Sequence, residues 1–341
     1  MQNERISCKF TAKPLFRRLL CYERYIFYSI NHQLITLNKK PKMKKFLLSA
    51  ALMCVSVAAF AQLVDVASTT RVPLPENVRV STATISPDGK FFVASDPSGS
   101  GIAKIDVATG NQTVVARNAS SFDVSISDDS ENIMFRRITT KNNLRYTSLH
   151  SVNVATGNET ELVAPSRHIS GYRFSGKTAL AINDSRLKQR NLEETAVALN
   201  DIVVGIDYGH LVVSVNGETK TLDPQGRASY LWPALSPDKT KIVYWVAFKG
   251  CYVCNIDGSN PVHLGELRAA KWLGNDMVVG MNDRDNGEFV TSSSIIVSNL
   301  AGTKQVVTDS DKIAMFPSTT ADGKHIAYVD ANGELFVINL K

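Results

Sequence analysis

A module of about forty residues recurs along this chain and constrains the fold more than any single residue does. Ser86-Pro87-Asp88-Gly89-Lys90 opens an apolar run, and Asp106-Val107-Ala108-Thr109-Gly110-Asn111 leads into a second one. The first half returns near Asp129, Lys177, Asp238, Asp276 and Asp322, and the second half near Asn153, Asn216, Asn255, Asn299 and Asn339. From Asp106 onward these second-half markers are spaced by 47, 63, 39, 44 and 40 residues. Short apolar runs split by Asp-Gly and Thr-Gly turns at such a period are the pattern of a propeller blade. A four-stranded antiparallel blade has two apolar faces and covers them only by stacking on neighbours in a ring.

The expected fold is therefore all-β, a six-bladed β-propeller of four-stranded antiparallel blades. Residues 112–116, 159–164, 218–223, 260–265 and 303–308 supply an outermost strand for five units. The sixth stops at Lys341 after its third strand, which would leave a bare sheet edge. A strand-like segment at 68–74 precedes the first unit and is expected to complete the last blade from the other end of the chain. The third unit fits worst, with a polar insertion at 183–200.

Met43-Lys44-Lys45, the apolar run 46–60 and Ala59-Phe60-Ala61 have the order of a secretory signal peptide cleaved after Ala61. Fifteen residues at ~1.5 Å each make about 22 Å, short of a bilayer core of about 30 Å. Residues 1–42 then read as an over-extended start, 43–61 as the leader and 62–341 as one propeller domain. The expected location is periplasmic or secreted, with no membrane span in the mature chain. Residues 1–61 hold 11 of the 38 Lys and Arg but only Glu4 and Glu23 of the 32 acidic residues. The remaining 27 basic and 30 acidic residues give the mature chain a net charge of −3. The basic balance belongs to the leader, and a nucleic-acid partner loses its electrostatic support.

Cys251 and Cys254 are the two cysteines beyond the leader. In the repeat they occupy apolar third-strand positions, where residues three apart face opposite sides and sit about 10 Å apart, too far for a disulfide. They are expected to be buried and unpaired. No cofactor is expected. Asp283, Asp285 and Glu288 gather oxygen ligands, but the intervening Arg284 and the place of Gly287 depart from a calcium loop. The mature histidines, His150, His168, His210, His263 and His325, show no ligand spacing.

The Ser-Pro-Asp-Gly-Lys turn at 86–90, its variants at 236–239 and 320–324, and the paired Asp-Val-Ala-Thr-Gly-Asn at 106–111 resemble the TolB-like β-propeller repeat. The resemblance covers the mature chain. It implies a stand-alone envelope member, since there is no room before Val80 for the α/β domain of TolB and no Gly-x-Ser-x-Gly elbow of the peptidase relatives.

Short repeated turns occupy one face of such a ring, and the irregular segments 136–148, 183–200, 223–232 and 282–294 fall on the other. Scaffolded loops are where ligands bind. The expected binding residues are Arg136, Arg137, Lys141, Arg145 and Tyr146 in one segment, Arg186, Lys188 and Arg190 in the next, and Tyr230 and Trp232 as aromatic anchors. The expected partner is an envelope protein or an anionic glycan, and the expected function is non-catalytic binding. The alternative is a metal-dependent polysaccharide lyase, whose ligands could converge on the central tunnel from several blades.

Overall fold

The computed structural model describes residues 62–95, 101–193 and 201–341. The leader, the segment before it and residues 194–200 lie outside the described residues. Among those described there is no helix, and β1 (Val66–Arg71) precedes seven antiparallel sheets. Blade 1 is β2 (Ala83–Ile85), β3 (Phe91–Ser95), β4 (Gly101–Asp106) and β5 (Gln112–Arg117). Blade 2 is β6 (Ala119–Ile126), β7 (Asn132–Lys141), β8 (Leu144–Asn153) and β9 (Glu159–Ser166). Blade 3 has three strands, β10 (Ile169–Ser175), β11 (Thr178–Asn183) and β12 (Arg186–Asn191), and so does blade 4, β13 (Ile202–Asp207), β14 (His210–Val215) and β15 (Glu218–Thr221). Blade 5 is β16 (Tyr230–Leu235), β17 (Lys241–Val246), β18 (Gly250–Asn255) and β19 (Val262–Gly265). Blade 6 is β20 (Arg268–Leu273), β21 (Met277–Asp285), β22 (Val290–Asn299) and β23 (Lys304–Val306). Blade 7 is β24 (Ala314–Thr319), β25 (His325–Asp330) and β26 (Leu335–Leu340), closed by β1 on its outer edge.

The protein is thus a β-propeller, but with seven blades rather than six. The unit of 63 residues accounts for the difference. Its β10, β11, β14 and β15 correspond to the four strands of an ordinary unit, and β12 and β13 are inserted in the middle. Six strands then split into two sheets of three. Gly171 lies against Val204 and Gly205, while Arg173 reaches the Ile202 carbonyl, so β13 runs opposite to β10 beside it. A three-stranded sheet reverses the chain direction, and a second one restores it, so β16 again starts on the same face as β10.

Glycine is required where the inner strands of these two blades meet. A Cβ on Gly171 would fall 2.2 Å from the Val204 carbonyl oxygen, and one on Gly205 would fall 2.4 Å from that of Ser170.

The repeated turn owes its recurrence to a local bond set. Asp88 accepts from the Ser86 hydroxyl at 2.6 Å and the Lys90 amide at 3.1 Å, and Gly89 takes φ 74°. The same hydroxyl-to-aspartate bond, 2.6 Å each time, recurs as Ser127 to Asp129, Ser236 to Asp238 and Thr320 to Asp322. Turns of successive blades are also tied together, Asp88 N to Ser130 Oγ at 3.2 Å and Ala321 N to the Pro87 carbonyl at 3.0 Å. These aspartates are structural, their carboxylates held by hydrogen bonds that a turn of this shape needs.

Cys251 and Cys254 are buried and free on opposite faces of β18, one in the cluster shared with blade 6 and the other in that shared with blade 4. Burial pushes their thiols up, to about 12 and about 11.

β1 pairs with β26 from Val66 opposite Leu340 to Arg71 opposite Phe336, starting two residues and ending three residues before the expected segment 68–74. Removing residues 66–71 should bare the β26 edge, lower the melting temperature by roughly 5–10 °C and promote aggregation. Calorimetry and light scattering against the intact chain check both, and unchanged values would mean that β1 does not close the ring.

Candidate functional site

All seven innermost strands, β2, β6, β10, β13, β16, β20 and β24, contribute to the wall of a central cavity of about 470 Å³, within the size range of small-molecule sites. Two longer hairpins, β7–β8 and β21–β22, project from the face opposite the Asp-Gly turns, called here the loop face.

A repeated distortion shapes the channel. Asp123, Trp232, Ala269 and Phe316 have φ of 63°, 49°, 50° and 52°, and each sits at a register break in its inner strand. Left-handed conformations at non-glycine residues cost about 1–3 kcal/mol each and persist where the surroundings enforce them. Four occurrences at matching places in four blades turn successive side chains and peptide groups toward the channel.

Of the ten residues expected to bind, the structure brings two to this cavity, Arg136 and Trp232. The Arg136 guanidinium lies 4.9 Å from the centre of the Tyr172 ring and 3.4 Å from the Asp123 carboxylate. Its Nε–H is enclosed yet has no acceptor. The Tyr172 hydroxyl donates to the Asp123 carbonyl, and burial, followed by the Asp123 charge, raises its pKa far above that of an ordinary phenol, so it stays protonated. Trp232 lies between Trp245, 6.4 Å away, and the Arg268 guanidinium at 5.6 Å. Arg268 is held by Asp283 at 2.6 Å, an almost fully buried carboxylate whose other oxygen has no partner.

The remaining cations differ in role. Arg173 is tied to Asp201 at 3.1 Å, and Lys239 shares that carboxylate at 2.8 Å. Lys271 is exposed in the wall, and no carboxylate is paired with it among the described residues. Asp123, Tyr172, Arg173, Lys271 and Phe316 escaped sequence reasoning. They lie on the inner strands shortly before the turn to the second strand, at no single repeat position.

The other expected residues lie elsewhere. The segment 136–148 is not a loop but the long β7–β8 hairpin, reversed at Asn142 and Asn143 with φ 51° and 59°. This is the geometry of a tight two-residue turn, and it puts Lys141 and Arg145 at an exposed tip with Tyr146 half-buried below. The segment 183–200 contains the Asp184-Ser185 turn, φ 50° and 58°, and β12. Arg186, Lys188 and Arg190 alternate along one side of β12, the outer strand of blade 3, where charge protects a free edge; Arg190 also donates to the Glu161 carbonyl. Residues 282–294 are mostly strand, with a tip at 286–289. Tyr230 is fully buried, and its hydroxyl receives the Gln225 amide at 2.8 Å and donates to the Gly226 carbonyl at 3.0 Å. It braces the 223–229 connection and presents no surface.

Arg137 points to the opposite side of β7 from Arg136. It forks onto Glu159, with the second bond at 2.7 Å, and donates to the Arg117 carbonyl. Glu159 also meets His150 Nδ1 at 2.8 Å, and His150 Nε2 meets Ser148 Oγ at 2.8 Å. The order resembles a nucleophilic triad, but Ser148 is 3% exposed, shut inside the sheet packing. The set is structural.

No group of three or more His, Cys, Asp or Glu that could hold a metal exists among the described residues. His168 bonds Tyr208 at 2.9 Å, His210 bonds Asp223 at 2.5 Å, His325 bonds Asn339 at 2.9 Å, and the His263 ring lies against Tyr252. Asp285 caps the Gly287 amide within the β21–β22 tip. The donor set does not fit a divalent cation centre.

No protein-family model matches the chain, and no curated protein matches it in sequence. Solved structures do match. An oligogalacturonate lyase from Vibrio parahaemolyticus is 14% identical with a TM-score of 0.42, over 75% of this chain and 76% of that one. An oligogalacturonate lyase in complex with manganese is 16% identical with a TM-score of 0.43, over 76% of each chain. At this identity the likeness concerns fold alone. Both are enzymes, which stands against the expectation of a non-catalytic protein, though likeness at this level assigns no activity to this chain.

Burial, with Arg137 next, holds the His150 imidazole below its ordinary value of 6.5 against the opposing pull of Glu159. Folded protein therefore favours neutral His150, and the stability this provides is complete above pH 6.5 and lost as pH falls below it. Stability should drop on acidification from pH 6.5, with a slope from this group of at most about 1.4 kcal/mol per pH unit. The variant His150→Gln should flatten that slope in urea melts at pH 5 to 7, and an unaltered slope would exclude His150 as its source.

Proposed function

We propose that the channel takes an acidic carbohydrate, a chain bearing uronate-type carboxylates, and that the protein acts on it as a polysaccharide-lyase-type enzyme without the metal of the earlier expectation. The observation that carries this is the Arg136 guanidinium in the cavity wall, whose ion-pair partner among the described residues, Asp123, lies 3.4 Å away and is itself largely exposed. A permanent cation so weakly paired gains from a ligand carboxylate. Lys271 adds an exposed amine in the same wall, with no carboxylate paired to it among the described residues. Of the two partner classes considered, a glycan suits a concave site of this size better than a protein surface does.

Elimination needs a cation on the sugar carboxylate and a base for the proton on the adjacent carbon. Arg136 suits the first role and the Lys271 amine the second. The proton passes to Nζ, the electron pair of the broken carbon–hydrogen bond forms the carbon–carbon double bond, and the glycosidic carbon–oxygen bond breaks with its pair leaving on oxygen, which takes up a proton from water. The leader at 43–61 supports an exported, periplasmic or secreted protein, and the Ser-Pro-Asp-Gly-Lys turns support kinship with TolB-like propellers.

Oligogalacturonate is a suitable probe, with its methyl ester as the uncharged control. Calorimetry should show binding of the acid form, weakened by salt, and Arg136→Gln should lower affinity about 10- to 100-fold. Lys271→Gln should abolish the ultraviolet absorbance of unsaturated product while leaving most of the binding. Absence of binding to any acidic oligosaccharide would overturn the proposal, and binding without product in the intact protein would remove the elimination step.

A further inference from the structure

Large apolar side chains left in water are distributed unevenly over this molecule. Among the described residues nine are exposed, and three of them, Val114, Val262 and Val306, lie on the outermost strands β5, β19 and β23. The other six are all on the loop face. Ile138 and Leu144 stand on the β7–β8 hairpin, Tyr208 on the β13–β14 turn, Leu231 at the start of β16, Phe248 on the β17–β18 turn and Phe289 at the β21–β22 tip. The Gly209 carbonyl accepts from the Tyr230 amide and the Ser229 carbonyl from that of Ala247, which brings the turns of blades 4 and 5 to the same level as the start of β16. Phe248 is as exposed as an isolated residue, and Tyr208 and Phe289 are 74% and 64% exposed.

We propose that this face docks on a lipid bilayer, inserting the apolar tips of blades 2, 4, 5 and 6 into the interfacial layer. The tips belong to separate blades and have polar connections between them, so they form no continuous patch for a protein core to seal. A flat, deformable apolar phase meets all of them together. Charge agrees with this occupant. Lys141 and Arg145 flank Ile138 and Leu144, and Lys249 follows Phe248; no ion pair engages any of the three among the described residues. Long cationic side chains at the rim of an inserted apolar group reach lipid phosphates. Asp285 and Glu288 beside Phe289 oppose that attraction, so anionic lipid strengthens binding only modestly. The contact is one of docking, and it needs no spanning segment.

The full chain is mixed with phosphatidylcholine vesicles, with and without phosphatidylglycerol, and sedimented. Phe248→Ser with Phe289→Ser should reduce the bound fraction about tenfold, while Val262→Ser with Val306→Ser on the outer wall should leave it unchanged. Both pairs carry the same leader, so its own affinity cancels in the comparison. In a second measurement the emission of Phe289→Trp should be quenched by brominated lipid, and that of Val306→Trp should not. Equal binding by the two double variants, or equal quenching at 289 and 306, overturns the proposal, as does failure of the unaltered chain to sediment with any vesicle.

Discussion

Each sheet in this protein has two apolar faces and, among the described residues, no layer of helices to cover them, so every face must be covered by the next sheet. The buried side chains accordingly fall into seven clusters, one at each interface between successive blades. Phe91, Val93 and Ile102 of blade 1 meet Ile133 and Phe135 of blade 2. Leu180 and Ile182 of blade 3 meet Val203 and Val212 of blade 4. Val329 and Val337 of blade 7 meet Ile85 and Phe92 of blade 1, where Val72, just beyond β1, joins them. Removal of one blade would expose two faces rather than one, and this is why an otherwise repetitive chain must close. The last blade draws its outer strand from the beginning of the chain and so fastens that closure.

The same constraint explains how one sequence unit becomes two blades. Three strands suffice to present two apolar faces, provided that the inner strand reaches the channel and the chain leaves on a usable side. Two three-stranded sheets in succession satisfy both conditions, since the second undoes the reversal made by the first. Close approach of β10 and β13 then depends on Gly171 and Gly205, where any side chain would meet a carbonyl oxygen. These blades have less apolar area to bury, and their cluster is the smallest of the seven, with four buried residues.

How much of this the sequence disclosed follows from how local each determinant is. The Ser-x-Asp turns are bonded within five residues and are legible as a motif. Closure by the first strand was legible too, because the count of outer strands fell one short. The seventh blade was hidden, since β12 reads Arg-Leu-Lys-Gln-Arg-Asn and reverses at Asp184-Ser185, a polar stretch that resembles a surface loop. Basic residues near the mouth were visible, yet adjacent positions diverge: Arg136 faces the cavity, whereas Arg137 is consumed by Glu159. Only the two-residue periodicity of a strand separates them, and a segment taken for a loop offers no such periodicity.

The channel itself is a nonlocal product, and its chemistry follows from the strand distortions. A regular inner strand alternates between the two interfaces flanking its blade and gives the axis mainly its backbone edge. A left-handed residue breaks that alternation and re-aims its neighbours. Where the residue is Trp232 the break places an indole beside Arg268, and where it is Asp123 it brings a carbonyl to the Tyr172 hydroxyl and a carboxylate to Arg136. The tyrosine is thereby fixed as a donor, and its ring supports the guanidinium from one side. Asp123, itself largely exposed, is a weak partner for a cation set in an enclosed wall. Arg136 is consequently positioned by its neighbours without being neutralised by them, which is the condition under which an anion entering the channel gains most from meeting it.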